Sequence, residues 1–182
     1  MLSHRFDLAD LCNTRGLTKA VEVGVHQSVF SYGFMLKFNG TLTCIDPWSG
    51  VGPDHPTFYP NYVAEPLDRD HDMRIAQAVM SRFGDRITFM RETSESAAAK
   101  FADGSLDMVY LDGLHDLPSV KQDLHMWWPK VKSTGIISGH DYLVQESTLC
   151  GVAAAVMCFA YEHNVGFQLT GDSPPSWWMV KP

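Results

Sequence analysis

"MVYLDGLHDLPSVKQDLHMWWPKVKSTGIISGHDY", residues 108–142, decides the fold. It holds two apolar runs, "MVYLDGLH" and "GIISGHDY", each ending in a carboxylate near a histidine. Between them, "PSVKQDLHMWWPKV" has helical spacing: Pro118 suits a first turn, Val120, Leu124 and Trp127 or Trp128 share a face, and Pro129 ends it. Continuous apolar strands flanking a helix are expected of a parallel sheet covered on both faces. Ligands of such sheets sit beyond the carboxyl ends of the strands. Asp112, His115, His140 and Asp141 therefore stand where a site would open.

The same alternation extends outward. "KAVEVGV" (19–25) is a strand, followed by a helix with Phe30, Phe34 and Phe38 on one face. "GTLTCIDPW" (40–48) is a second strand, broken by Pro47. The spacing predicts a helix over 70–84, capped by Asp70 or Asp72, with Ile75, Val79 and Met80 inward and Gly84 as its stop. "RITFMRE" (86–92) is a third strand, after which Thr93 or Ser94 caps "ESAAAKF". A strongly apolar helix is expected over 147–163. "VGFQLTG" and "SWWMVKP" close the chain as an antiparallel pair joined by "DSPP". The expectation is one α/β domain over residues 1–182, its sheet mostly parallel with an antiparallel C-terminal hairpin. Residues 47–72 interrupt the alternation with a proline- and aromatic-rich stretch, expected to be a lid or substrate loop in which Phe58, Tyr59 and Tyr62 line an acceptor pocket or anchor the loop. His55 and His71, in or beside that stretch, are expected to be solvated.

Bulk properties narrow the function classes. A chain of 182 residues with 45% hydrophobic and 19% charged residues can bury a substantial core. Net charge is −7 and no Lys/Arg run is present, which argues against a nucleic-acid binder. Cys12, Cys44, Cys150 and Cys158 lack metal or disulfide-scaffold spacing and are expected to be buried thiols. No stretch approaches the ~20 apolar residues of a membrane span, and the N-terminus has no signal-peptide core. A cytoplasmic protein is expected. Trp177 and Trp178 alternate along a strand, so one is expected in the core and the other at a surface or an interface; a homodimer is left open.

Two features suggest a nucleoside cofactor. In "VEVGVHQS" (21–28), Gly24 follows the first strand, where a ligand can approach the backbone and a helix N-terminus offers free N–H groups. Asp46, at the end of the second strand, is placed to accept hydrogen bonds from ribose hydroxyls. A single glycine falls short of a full dinucleotide fingerprint, and an ordinary βα turn is the alternative.

Taken together, these motifs resemble those of the class I S-adenosylmethionine-dependent methyltransferases. "VEVGVHQS" is similar to their first motif and "CIDPW" to their second. Residues 105–142 resemble a branch typified by D-G-x-H, a D-x-x-x-W-x-P helix and G-H-D-Y. The resemblance implies a three-layer Rossmann-like fold with seven strands and S-adenosyl-L-methionine as cofactor. It implies that Gly24 and the backbone through His26 and Ser28 cradle the methionine portion, and that Glu22 orients that loop. It further implies that Asp46 holds the ribose, Pro47 and Trp48 lie against the adenine, Thr93 and Ser94 lie at its edge, and Asp112 faces the amino end of the cofactor or a metal. The chain departs from the pattern where His26 and Ser28 replace the second and third glycines.

Methyl transfer to an alcohol or phenol also requires loss of a proton, to a base or through a metal. In related O-methyltransferases, acids ending the fourth and fifth strands bind a divalent ion; Asp112 and Asp141 match these positions, and Tyr142 replaces a third ligand. His140 or His115 is then expected to complete a mixed N/O set, Asp112, His140 and Asp141 in the first instance. The alternative is that Asp141 caps a helix and His115 serves alone as general base. The expected function is methylation of oxygen on a small hydroxylated or sugar-like acceptor, with Asp112, His115 and Asp141 as reacting residues. The rivals are a nicotinamide-dependent oxidoreductase and a non-catalytic cofactor-binding regulatory protein.

Overall fold

Five apolar runs form the parallel part of the sheet: β1 (Lys19–Val23), β2 (Thr41–Ile45), β3 (Ile87–Met90), β4 (Leu106–Leu111) and β5 (Val131–Gly139). Two short strands, β6 (Phe167–Leu169) and β7 (Trp177–Val180), complete it in a computed structural model that describes residues 2–49, 69–143 and 151–182. The seven strands lie in the order β3-β2-β1-β4-β5-β7-β6. β7 runs antiparallel to both β5 and β6. The mostly parallel sheet with its antiparallel C-terminal hairpin is as the sequence predicts.

Alternate residues of each strand feed two separate cores. On one face Val21, Val109, Leu111 and Ile137 meet α4 (Ser94–Ala98), α5 (Leu117–Trp127) and α6 (Val152–Glu162). On the other, Ala20, Leu42, Met108 and Ile136 meet α1 (Leu8–Thr14), α2 (Val29–Met35) and α3 (Arg69–Met80). Every residue of β4 is buried, as a central strand covered on both sides must be. Asp116 caps α5 by accepting from the Ser119 N–H, and Thr93 caps α4 by accepting from Ser96.

Several expectations need correction. Trp177 and Trp178 are both buried, at 1% and 9% exposure, because β7 is an interior strand between β5 and β6 and each of its faces meets a core. Val79 is exposed; Asp72, Ala76 and Met80 form the inward stripe of α3. That helix begins at Arg69, so Asp70 and Asp72 fall in its first turn and favour its dipole rather than cap it. Cys158 is exposed on α6, while Cys12 and Cys44 are buried as expected. Cys150, His55, Phe58, Tyr59, Tyr62, most of the 47–72 loop and the start of the helix expected at 147 lie outside the described residues. No helix among the described residues is long and apolar enough to cross a membrane.

The strand order reverses its direction of growth between β1 and β4, and a crevice opens at their carboxyl ends. The two backbones touch there: the Asp112 N–H donates to the Val23 carbonyl at 2.7 Å. Gly24, at φ +87, allows this, since a Cβ at that position would stand 2.1 Å from the Asp112 carbonyl oxygen.

Candidate active site

A cavity of about 620 Å³ occupies the crevice, a volume suited to a nucleoside-sized ligand. Gly24 and Val23 from β1, Asp46, Pro47 and Ser49 after β2, Glu92, Thr93, Ser94 and Glu95 after β3, and Asp112–Leu114 after β4 line it. Helix α5 adds Ser119, Gln122, Asp123 and Met126.

The sequence-predicted residues divide around this cavity. Gly24, Asp46, Pro47, Thr93, Ser94 and Asp112 line it. Glu22, Ser28 and Trp48 are buried outside its lining, and His26 lies outside it on the surface. The Asp46 Oδ2 accepts from the Val25 and His26 N–H groups, both at 2.9 Å, and its Oδ1 accepts from the Trp48 N–H at 2.7 Å. The loop after β1 is thus tied to the end of β2 by one carboxylate. His26 and Ser28 adopt φ of +50 and +67, so the positions that lack glycine keep the left-handed backbone that glycine would favour. Trp48 is buried, also at positive φ, and its Nε1–H donates to the His26 carbonyl. Its indole therefore braces the loop from below.

Glu22 is buried and accepts a short hydrogen bond from the Ser31 hydroxyl. Burial pushes its carboxyl well above the ordinary glutamate value, and the nearby Asp112 and Asp46 charges push in the same direction.

Beyond Asp112 the reacting groups converge. Asp112, His115 and Asp141 each offer an atom within 4.8 Å of the others. The His115 Nε2 lies 3.2 Å from Asp141 Oδ2 and 3.6 Å from Asp112 Oδ1. The Asp112 carboxylate, an ion-pair partner at that distance, raises His115 above the ordinary histidine value; burial opposes this, and the Asp141 and Asp116 charges assist it. Burial works to raise Asp141 as well, but the His140 hydrogen bond and the charges around it hold Asp141 below the ordinary aspartate value. His140 stands against the same two acids. Its Nδ1 is 3.1 Å from Asp141 Oδ1 and 4.0 Å from Asp112 Oδ1, while its Nε2 faces Arg5. The geometry thus brings both histidines to the two acids, and Asp112, His115 and Asp141 form the set whose ligand atoms all lie within 4.8 Å of one another.

Asp123 was not anticipated. Its carboxyl borders the cavity from α5, accepting from the Ser94 hydroxyl at 2.5 Å, and Ser94 in turn accepts from the Trp127 indole N–H at 2.9 Å. Burial pushes its pKa up to about 6. The signal was present: Asp123 lies three residues after Val120 and four before Trp127, an acid on the inward stripe of an amphipathic helix.

A family model for the methyltransferase domain matches residues 21–142, from β1 through the G-H-D-Y motif. The chain belongs to the methyltransferase-domain family. An uncharacterized protein of Sinorhizobium fredii, y4gI, is 25% identical over 167 residues; the alignment covers 84% of this chain but 17% of that protein's length. Among solved structures, a Corynebacterium glutamicum protein is similar with TM-score 0.70 at 17% identity, covering 97% of this chain and 78% of its own. The O-methyltransferase from Bacillus cereus in complex with SAH is similar with TM-score 0.68 at 12% identity, covering 97% and 80%. In this methyltransferase domain the family match spans both the crevice and the Asp112–His115–Asp141 trio, and it sets aside the oxidoreductase alternative.

Proposed function

We propose that this methyltransferase domain transfers the methyl group of S-adenosyl-L-methionine to an oxygen of a small hydroxylated or sugar-like acceptor. The observation that carries the reading is the double membership of Asp112: it lines the nucleoside-sized cavity and belongs to the trio with His115 and Asp141. A cofactor in the crevice thereby lies beside groups able to handle the proton of an acceptor. The SAH held by the similar Bacillus cereus O-methyltransferase supports the same cofactor.

The cavity residues fit such a cofactor. In this reading the Gly24 backbone would hold the methionine end, Asp46 and Pro47 the ribose, and Thr93, Ser94 and Asp123 the base, all of them lining the cavity. Bound there, S-adenosyl-L-methionine supplies an electrophilic methyl on a sulfonium. Two acids and an imidazole within 4.8 Å also fit a divalent ion, and their mixed N/O character suits manganese, iron or zinc better than magnesium. Such an ion would polarise the acceptor hydroxyl.

With no ion in the trio, His115 is the residue proposed to take the acceptor proton, with Asp141 and Asp112 orienting its ring and stabilising the imidazolium. Because those carboxylates hold the proton on His115, the active neutral form accumulates as pH rises. Turnover is expected to increase through a midpoint above the ordinary histidine value of about 6.5. The test pairs His115→Asn and Asp141→Asn with an acceptor screen and cofactor titration. Loss of turnover with cofactor affinity retained supports the reading. Undiminished turnover in both variants refutes the assigned roles, and cofactor binding without turnover across hydroxylated acceptors favours a non-catalytic regulatory protein.

A further inference from the structure

We propose that Arg5 is a positioning residue of the candidate site: it fixes His140 in one tautomer and, through it, presents Asp141 to His115. The inference rests on the reading of Asp112, His115 and Asp141 as the reacting group.

The segment before α1 is pinned at several points. The Leu2 carbonyl accepts from the Gly171 N–H at 3.0 Å, and the His4 Nε2 lies 3.9 Å from Asp172. The Phe6 ring fills the notch left by Gly33, where a Cβ would stand 2.3 Å from it. Asp7 accepts from the N–H groups of Ser3 and His4. Between these pins Arg5 spans 135 residues of sequence to place its Nη1 2.8 Å from the Nε2 of His140.

A guanidinium carries only donors and stays charged in proteins. The His140 Nε2 must therefore be the bare, accepting nitrogen, and the ring proton sits on Nδ1. That Nδ1–H is 3.1 Å from Asp141 Oδ1 and donates to it. The second Asp141 oxygen is left facing the His115 Nε2 at 3.2 Å. Asp141 itself stands at φ +53, a backbone state that non-glycine residues rarely adopt, so its carboxylate depends on contacts of this kind for its aim. Two consequences follow. Nε2 of His140 is turned to Arg5, so His140 meets the two acids through Nδ1 alone. The trio also depends on a residue from the far end of the chain.

The test is nitrogen-resolved NMR of the full chain labelled at histidine, recorded well above the ordinary histidine pKa, with His140 assigned by its disappearance in His140→Gln. In the wild type the expected pattern is a protonated Nδ1 and a bare Nε2. Arg5→Met keeps the aliphatic stem and removes the donors; loss of that pattern is expected. Arg5→Lys restores a donor and is expected to restore it, which a merely structural role would not require. A wild-type His140 protonated at Nε2, or an Arg5→Met protein with the wild-type pattern, would overturn the proposal. Should Arg5→Met fail to fold, the wild-type and Arg5→Lys patterns still decide it. The signal is read on the protein alone, so absence of cofactor binding or methyl transfer would register separately, as failure of the functional reading.

Discussion

Replacing Asp123 with asparagine should stabilise the protein at neutral and alkaline pH, even though it removes a carboxyl from the candidate site. Asp123 is held by the Ser94 hydroxyl, with the Trp127 indole behind it, and burial raises its pKa to about 6 from an ordinary 3.8. The folded state therefore keeps its proton to higher pH than the unfolded chain does. Stability from this group is greatest below the ordinary aspartate range, falls as pH rises from about 4 to about 6, and stays low above that. At about 1.4 kcal/mol per pH unit, the gap corresponds to roughly 3 kcal/mol. Asparagine keeps the acceptor for Ser94 and has no charge to bury. Asp123→Asn should gain about 2–3 kcal/mol near pH 8, or roughly 5–10 °C in Tm for a chain of this size, and nothing near pH 4. Denaturant melts of both proteins across that range measure the difference directly. A stability difference that does not change with pH would show that burial does not retain the proton on Asp123, and the reasoning would fail.

Glu22→Gln should lie within about 1 kcal/mol of wild type at neutral pH, because glutamine keeps the side chain's size and an acceptor for the Ser31 hydroxyl where burial disfavours charge, whereas Glu22→Ala should cost about 2 kcal/mol or more in a denaturant melt. Gly24→Ala drives a methyl into the Asp112 carbonyl and should cost at least about 2 kcal/mol and abolish cofactor binding. Gly104→Ala, also at positive φ but with open space around it, should cost only about 1 kcal/mol in the same melts and leave binding intact.

The parallel core and the crevice were legible because strand and helix periodicities alternate on both sides of the 47–72 stretch, and because two strands end in acids near histidines. The motif positions found the right loops but not which side chains face the ligand. Asp46, Thr93 and Asp112 line the cavity, while Glu22 and Trp48 are buried away from it, Glu22 within β1 and Trp48 on a positive-φ backbone that no pattern encodes. Strand insertion hid the fate of Trp178: nothing in "SWWMVKP" shows that β7 would lie inside the sheet rather than at its edge. The aim of the His140 ring has a longer-range cause, since Arg5 faces its Nε2. A contact between residues so far apart in sequence leaves no local trace.

Calorimetric titration with S-adenosyl-L-methionine and S-adenosylhomocysteine, each with chelator and with added Mn²⁺, tests the central claim most directly. The account predicts binding of both in the micromolar range, about −8 kcal/mol, by a crevice that Gly24→Ala destroys. Absence of binding by either ligand under every condition would contradict it.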